Sequence, residues 1–231
     1  MKPLVDNYEK LKVFALSEGA SLFGVADAVS IRDSFNIEPK AILQGLDFAI
    51  SIGVRLSGKI LETVVDEPSK LYAFHYKRIN SLLDDIAIKI ANFIQDKGAC
   101  ALPVPASYVE DWKRQTGALS HKKIGYMAGL GFIGRSGLLI NPEFGSQARY
   151  ASILTDFPLK VDVPRDGSCA GCRECVKACP AGAIKDTSGQ LNLEACRELL
   201  KVFANKPGIG HSICGVCVKV CKGLAGQRVS E

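Results

Sequence analysis

Apolar positions recur at helical spacing at the start of the chain and again, over a longer stretch, near its middle. The pattern predicts an opening helix over residues 5–18, closed at Gly19, and a long helix from Pro68 to about Asp96 that stops at Gly98. We expect the long helix to bury one wide apolar face. The members of that face are Leu71, Phe74, Ile79, Leu82, Leu83, Ile86, Ile88, Ile90, Ala91 and Ile94.

Short runs rich in Ile, Val and Leu predict strands between and after these helices. The runs cover residues 21–28, 48–56, 100–105, 138–140 and 149–155. A short helix is expected over residues 37–46, and another begins at the capping residue Ser120 and ends at Gly129. The pattern therefore predicts an α+β fold for about the first 165 residues.

The polar segment 106–119 interrupts this pattern and carries the only Trp of the chain, Trp112. It predicts a long exposed loop. A loop that carries Tyr108, Asp111 and Arg114 suits a substrate lid, and it suits plain surface equally well.

Three glycines, Gly129, Gly131 and Gly134, formally match the dinucleotide-binding fingerprint, and Asp156 follows about 20 residues later. That fingerprint requires a strand before the glycines and a helix that begins within them. Here a predicted helix precedes the glycines and a predicted strand follows, which argues against a nucleotide site. The turn makes either a tight corner or a close approach of backbone to a flat cofactor.

Eight of the nine cysteines lie in the last quarter of the chain. The first run reads Cys169-x2-Cys172-x2-Cys175-x3-Cys179-Pro180, and the second set is Cys196 followed by Cys214-x2-Cys217-x3-Cys221. The first run is that of bacterial ferredoxins, in which three cysteines hold one [4Fe–4S] cluster and the fourth ligates a second. The predicted ligands of cluster 1 are Cys169, Cys172, Cys175 and Cys221, and those of cluster 2 are Cys179, Cys196, Cys214 and Cys217.

Structural zinc and disulfides are the alternatives for these cysteines. Zinc normally uses pairs of Cys-x2-Cys and four ligands per site, unlike a continuous run that ends in Cys-Pro. Disulfides need an oxidising compartment, which nothing in the sequence indicates. Cys100 lies outside both sets and is expected to be a buried free thiol without a role.

The formal net charge of +5 gives little support to a nucleic-acid partner. Each oxidised cluster with its four thiolates carries about −2, so two clusters bring the holoprotein close to neutral. The first residues carry charges throughout and do not form a signal peptide. No segment approaches the ~20 apolar residues of a membrane span. We therefore expect a cytoplasmic protein that does not act at a membrane.

The stretch AGLGFIGRSGLLINPEFGS, followed by a strand, DFPL and the cysteine run, resembles epoxyqueuosine reductases and, more distantly, respiratory reductive dehalogenases. The resemblance runs from about Tyr72 to Cys221. It implies a nitroreductase-like or B12-chaperone-like domain over residues 1–164 that holds a base-off cobalamin, and a ferredoxin-like two-cluster domain over residues 165–231. It also implies a set of cofactor-contacting residues, namely Gly131, Gly134, Arg135, Ser136, Asn141 and Ser146.

Two departures from that family bear on the substrate. The family carries an Asp ahead of the glycine turn, thought to be the proton donor, and the corresponding place here reads ALPVPAS, without an acid. The family also continues into helical repeats that help to hold tRNA, whereas this sequence stops at Glu231. We therefore expect a short form, for which reduction of epoxyqueuosine on tRNA does not follow from the resemblance. The candidate proton donors are then Tyr108, Asp111 and His121, each of which suits an ordinary loop or cap residue as well.

Three functions follow from the sequence. The first is a reductase in which ferredoxin or flavodoxin supplies electrons through the clusters to a corrinoid, which reduces a small-molecule or protein-bound substrate. The second is a non-catalytic electron carrier, or a corrinoid reductant for a partner protein. The third is an iron–sulfur reductase that binds FMN in place of the corrinoid.

Overall fold

A computed structural model describes residues 2–111, 116–187 and 190–223 of the chain. Its helices are α1 (Lys2–Ser17), α2 (Gly58–Glu62), α3 (Lys70–Gln95), α4 (His121–Met127), α5 (Glu174–Ala178), α6 (Leu193–Ala204) and α7 (Val216–Val220). Its strands are β1 (Leu22–Asp27), β2 (Phe48–Arg55), β3 (Ala101–Val104), β4 (Phe132–Ile133), β5 (Leu139–Ile140) and β6 (Ala148–Thr155). Two 3-10 helices span Val29–Ser34 and Lys40–Leu43.

Four strands form the main sheet, in the order β1-β2-β6-β3. β1 pairs antiparallel with β2, Leu22 opposite Gly53, and β3 pairs antiparallel with β6, Ala101 opposite Thr155. The two central strands are buried along almost their whole length. A sheet covered on both faces selects continuous apolar runs in its central strands, and both strands were predicted from such runs.

The contacts of the chain divide it into two compact units whose segments alternate along the sequence. Unit 1 comprises Met1–Val54, Asn80–Leu130 and Arg149–Arg165; unit 2 comprises Arg55–Ile79, Gly131–Ala148 and Asp166–Glu231. Unit 2 therefore combines the cysteine-rich segment with the predicted cofactor-contacting stretch. The division into domains over residues 1–164 and 165–231 stays a prediction.

The long helix α3 buries a narrower stripe than its periodicity predicts. Its fully buried large side chains in unit 1 recur at spacings of three and four residues, and they are Leu83, Ile86, Ile90 and Ile94. Leu71, Phe74 and Ile88 are instead 54%, 64% and 53% exposed. In its first two turns the helix packs through Tyr72 and Ala73, so its buried face there lies on another side.

Two further expectations are corrected by the structure. The helix expected over residues 37–46 is only the 3-10 turn Lys40–Leu43. Cys100, expected to be buried, is exposed. It precedes the edge strand β3, where its backbone donates to Asp156 and accepts from the Thr155 hydroxyl while its side chain faces outward. Among the described residues, no helix combines the length and apolar character that a membrane crossing requires.

The burial pattern of α3 predicts opposite outcomes for two neighbouring isoleucines. Ile90→Ala should lower the free energy of unfolding by about 2–5 kcal/mol, because Ile90 is fully buried and its loss leaves a cavity. Ile88→Ala is the matched control and should change the free energy of unfolding by less than about 0.5 kcal/mol. Denaturant unfolding followed by circular dichroism measures both, and equal losses would contradict the packing described here.

Candidate cluster and cofactor site

Two short helices separate the predicted ligands of one cluster from those of the other. α5 carries Cys175 and ends before Cys179, while α7 carries Cys217 and ends before Cys221. Four residues of helix rise about 6 Å, so each helix presents its two thiols at opposite ends. α5 and α7 pack against each other. This packing brings both predicted ligand sets together within unit 2.

The thiol environments follow the predicted grouping for cluster 1. Burial raises the pKa of Cys175 to about 11, and the neighbouring thiols of Cys169, Cys221 and Cys172 contribute to that rise. Those three neighbours are the other predicted ligands of cluster 1. A protein that binds metal through thiolates must release the protons that such burial retains.

Burial and neighbouring thiols also raise the pKa values of predicted cluster-2 ligands. Burial raises the pKa of Cys217 to about 12, and the thiols of Cys214, Cys196 and Cys179 contribute after it. Burial also raises the pKa of Cys196, with a contribution from Cys179, although Cys196 is distant in sequence from both cysteine runs. The Cys175 thiol is a further neighbour of Cys217, so the two sets adjoin. These environments fit the predicted ligands of cluster 2.

All nine cysteines are free thiols. Within the described ranges, no three His, Cys, Asp or Glu side chains converge closely enough to hold a single metal ion. A cubane makes a different demand, because its four thiolates bind separate corners of the cluster rather than one point. The gathering of the thiols in two groups of four therefore matches what two cubanes require.

The cluster loops use left-handed backbone between their first two cysteines. Gly215 has φ 87° in the loop from Cys214 to Cys217, and Ala170 has φ 42° in the loop after Cys169. The left-handed conformation costs an L-residue such as Ala170 roughly 1–2 kcal/mol. Its carbonyl accepts a hydrogen bond of 2.7 Å from the Arg135 guanidinium, which helps to hold the strained loop.

The glycine turn belongs to a hairpin that lies against the first cluster loop. β4 and β5 pair with Phe132 opposite Ile140. A Cβ on Gly131 would collide with the Ile140 carbonyl oxygen, and one on Gly134 would lie 3.1 Å from the Cys169 sulfur. Both glycines are thus required by the hairpin and by the cluster loop, whatever further role they have. A helix precedes this turn and a strand follows, which confirms that it lacks the context of a dinucleotide fingerprint.

Arg135 and Asn141 have their polar groups engaged within unit 2. Arg135 Nε donates to the Cys172 carbonyl at 3.1 Å. Asn141 Oδ1 accepts from the backbone of Glu143 and Phe144, at 2.9 and 3.1 Å, and so closes a tight turn. In that turn, a Cβ on Gly145 would collide with the Cys221 carbonyl oxygen. The stretch predicted to contact a cofactor therefore packs on the backbone around three predicted cluster-1 ligands.

Ser136 and Ser146 are both buried. Ser146 is 4% exposed, and its hydroxyl has no hydrogen-bond partner among the described residues. An unpaired buried hydroxyl costs about 1–3 kcal/mol. Among the described residues, Ser146 thus has a buried polar atom left for a ligand.

The loop candidates for proton transfer are only partly described. Tyr108 is 50% exposed, and a hydrogen bond to Glu110 raises its pKa. Asp111 pairs through its backbone with Thr116. Trp112 and Arg114, which belong to the predicted lid, lie outside the described residues.

His121 is held neutral at the start of α4, next to the confirmed cap Ser120. Burial lowers its pKa to about 4, a shift that the Pro105 carbonyl opposes and the Arg149 charge supports. Its Nε2 lies 3.0 Å from the Pro105 carbonyl, which can only accept, so Nε2 carries the proton. Nδ1 then accepts from the Ser152 hydroxyl at 2.9 Å. Both ring nitrogens are occupied.

A polar network that the sequence pattern did not predict fixes residues 105–107. Arg149 donates to Asn80 Oδ1, to the Ala106 carbonyl and to Ser107 Oγ. Asp84 accepts from the Ala106 amide, and burial raises its pKa. The available signal was the presence of Asn80 and Asp84, four residues apart, on the apolar side of α3.

The ligand grouping predicts the effect of removing the cysteine that is isolated in sequence. Cys196→Ala should reduce the iron of the reconstituted protein from about eight to about four atoms per chain, because one cubane loses a ligand. Cys100→Ala is the matched control and should leave iron content unchanged. Full iron in Cys196→Ala, or iron loss in Cys100→Ala, would overturn the assignment.

The environment of His121 predicts its charge state. Its folded pKa of about 4 lies below the unfolded value of 6.5, so its contribution to stability is complete above pH 6.5 and is lost as pH falls through 4. Nitrogen NMR of histidine-labelled protein should show a neutral Nε2-protonated ring for His121 down to about pH 5. An imidazolium at about pH 6 would contradict this arrangement.

Comparison with known proteins agrees with the cysteine pattern. Residues 165–185 match the family described as 4Fe-4S binding domain. The chain is 34% identical over 114 residues to an epoxyqueuosine reductase of Bacillus subtilis, a match that covers 46% of this chain and 29% of that protein. It is 30% identical over 177 residues to a tetrachloroethene reductive dehalogenase of Desulfitobacterium hafniense, covering 69% of this chain and 30% of that protein.

Solved structures extend the comparison to most of the chain. A reductive dehalogenase structure described as suggesting a mechanism for B12-dependent dehalogenation matches with a TM-score of 0.73 at 22% identity, covering 98% of this chain and 33% of that one. An epoxyqueuosine reductase with an epoxyqueuosine-modified tRNA-Tyr stem loop matches with a TM-score of 0.67 at 22% identity, covering 94% and 65%. The chain thus spans about a third to two thirds of these proteins. It resembles epoxyqueuosine reductases and reductive dehalogenases in sequence, and it shares their fold.

Proposed function

We propose that this protein is an iron–sulfur oxidoreductase in which two [4Fe–4S] clusters pass electrons to a corrinoid bound beside residues 131–146. The observation that carries the proposal is the contact of this stretch with predicted cluster-1 ligands. Gly134 lies against the Cys169 sulfur, and the stretch also meets the backbone carbonyls of Cys172 and Cys221. A cofactor on this stretch would stand next to its electron source.

The proposed cluster ligands are the two groups of thiols described above. Cluster 1 takes Cys169, Cys172, Cys175 and Cys221, and cluster 2 takes Cys179, Cys196, Cys214 and Cys217. The match of residues 165–185 to the 4Fe-4S binding domain family supports the first run directly. The adjacency of Cys175 and Cys217 supports electron transfer between the two clusters.

Four residues of the stretch have distinct parts in this proposal. Ser146 supplies a buried hydroxyl for the ligand, while Gly131 and Gly134 keep the hairpin close to the cluster loop. Arg135 holds that loop through two carbonyls and does not need to contact the cofactor. A bound corrinoid would supply a redox-active cobalt that breaks a bond of the substrate. The similar fold of a reductive dehalogenase with B12-dependent dehalogenation supports this choice over FMN.

The proposed substrate is a small or protein-bound molecule rather than tRNA. The solved structure with a tRNA stem loop is that of an epoxyqueuosine reductase with a similar fold. In this chain, residues 105–107 are Pro, Ala and Ser, and Arg149 and Asp84 hold the backbone of Ala106 through hydrogen bonds. His121 has both ring nitrogens engaged, which leaves Tyr108 and Asp111 as the proposed proton donors.

A second candidate is a non-catalytic electron carrier or a corrinoid reductant for a partner protein. The observation that favours it is the same lack of an acid at residues 105–107, combined with the occupied ring of His121. Such a protein would hold reducible clusters and turn over no substrate.

Anaerobic reconstitution with iron, sulfide and cobalamin tests whether the protein binds a corrinoid. We expect one corrinoid per chain to remain after gel filtration, with a corrinoid absorption spectrum. Loss of all corrinoid while both clusters are intact would favour the electron carrier, and a flavin spectrum in protein purified without reconstitution would favour the FMN enzyme.

Replacing Ser146 distinguishes a role in corrinoid binding from a role in packing alone. Ser146→Ala should weaken corrinoid binding about 3- to 10-fold because a hydrogen bond is lost, and should raise the thermal midpoint of the corrinoid-free protein because an unpaired hydroxyl is removed. Ser30→Ala, at an exposed serine, is the control and should change neither. Unchanged corrinoid affinity in Ser146→Ala would remove Ser146 from the site.

A further inference from the structure

We infer that the first two turns of α3 form a docking surface for a small acidic electron carrier that reduces cluster 2. The surface, here called the α3 patch, consists of Lys70, Leu71, Phe74, Lys77 and Arg78. The inference rests on the proposed function, because it needs the two clusters, and it adds the point at which electrons enter.

The inner side of these two turns lies on the loop that carries two predicted ligands of cluster 2. A Cβ on Gly215, between Cys214 and Cys217, would stand 2.6 Å from the Tyr72 ring. The Tyr76 ring lies 6.1 Å from the His211 ring, between centroids. The Lys70 stem approaches Gly208. The outer side of the same turns is therefore a surface one helix away from the cluster-2 loop.

The outer side carries two large apolar side chains that the structure leaves exposed. Leu71 and Phe74 are 54% and 64% exposed and lie three residues apart, on one face of the helix. Exposed aromatic and aliphatic side chains that lie together are typical of the centre of a protein interface. Their periodicity matches that of a buried face, yet Tyr72 and Ala73 are the residues that pack inward.

The formally charged side chains of residues 70–78 have one sign. Lys70, Lys77 and Arg78 are exposed, and residues 70–78 include no Asp or Glu. The nearest acidic side chain along the chain, Glu67, is paired with Lys206. A surface of three cations around Leu71 and Phe74 complements a partner with an acidic rim and an apolar centre. Acidic ferredoxins and flavodoxins are small acidic proteins that deliver electrons one at a time.

The hairpin lies against predicted ligands of cluster 1. The predicted cofactor-contacting stretch meets Cys169, Cys172 and Cys221, which are all assigned to cluster 1. In the inferred path, an electron enters at cluster 2 and reaches the corrinoid through cluster 1, the cluster beside the hairpin. The entry step is a one-electron transfer in which the carrier is oxidised and cluster 2 is reduced, with no bond or proton exchanged.

Stopped-flow reduction of the reconstituted protein by reduced acidic ferredoxin or flavodoxin tests this surface. Wild-type protein should show a second-order rate constant that falls as salt rises. Lys70→Glu with Arg78→Glu should lower that rate constant at low salt at least ~10-fold, and Phe74→Ala about 3- to 10-fold at all salt concentrations. Iron content and the rate of reduction by dithionite should not change.

The matched control reverses two exposed lysines of unit 1, as Lys10→Glu with Lys97→Glu. Equal slowing in this control would mean that net charge alone steers the carrier and would overturn the patch. Unchanged rates in the α3 variants, or no salt-sensitive reduction of the wild type by either carrier, would overturn it as well. Binding of a tRNA stem loop that is lost in the Lys70→Glu, Arg78→Glu variant, with normal carrier rates, would reassign the surface to nucleic acid.

A wild-type protein that holds no iron after reconstitution would contradict the proposed function itself. Full iron with unaltered carrier rates in every variant would contradict only the α3 patch. The two failures are therefore distinguishable by iron analysis and kinetics on the same samples.

Discussion

The arrangement of unit 2 depends on gathering eight thiols in a short length of chain. Burial and mutual proximity raise the pKa values of Cys175 and Cys217 to about 11 and 12, so the metal-free thiols keep their protons. Iron must therefore displace those protons, and folding of the cysteine segment is coupled to metal binding. The helices α5 and α7 provide the spacing that two neighbouring clusters require, because each separates a ligand of one set from a ligand of the other.

A second constraint is the close approach of the hairpin to the first cluster loop. Glycine at 134 allows the backbone to lie against the Cys169 sulfur, and Gly145 allows the turn to lie on the Cys221 backbone. Arg135 adds two hydrogen bonds to the same loop. The glycine-rich stretch is thus a support for the cluster loop, and the proposed corrinoid site lies on this same stretch.

Polar side chains fix the start of one loop in unit 1. Arg149, Asp84 and His121 hold the backbone of residues 105–107, and both nitrogens of His121 are engaged in hydrogen bonds. Residues with shifted pKa values often mark catalytic groups, but ion pairs and hydrogen bonds that only support structure shift them too. The low pKa of His121 comes mainly from burial, so it does not by itself mark a catalytic group.

The sequence by itself determined the strands of the main sheet, the long helix, the capped helix at Ser120 and the 4Fe-4S motif, because each depends on local periodicity or on cysteine spacing. Only the tertiary structure decided which side of α3 is buried in its first turns, that Cys100 is exposed, and that residues 131–148 join the cysteine segment. It also revealed the network around Arg149. These features depend on contacts between residues distant in sequence, which no local pattern contains.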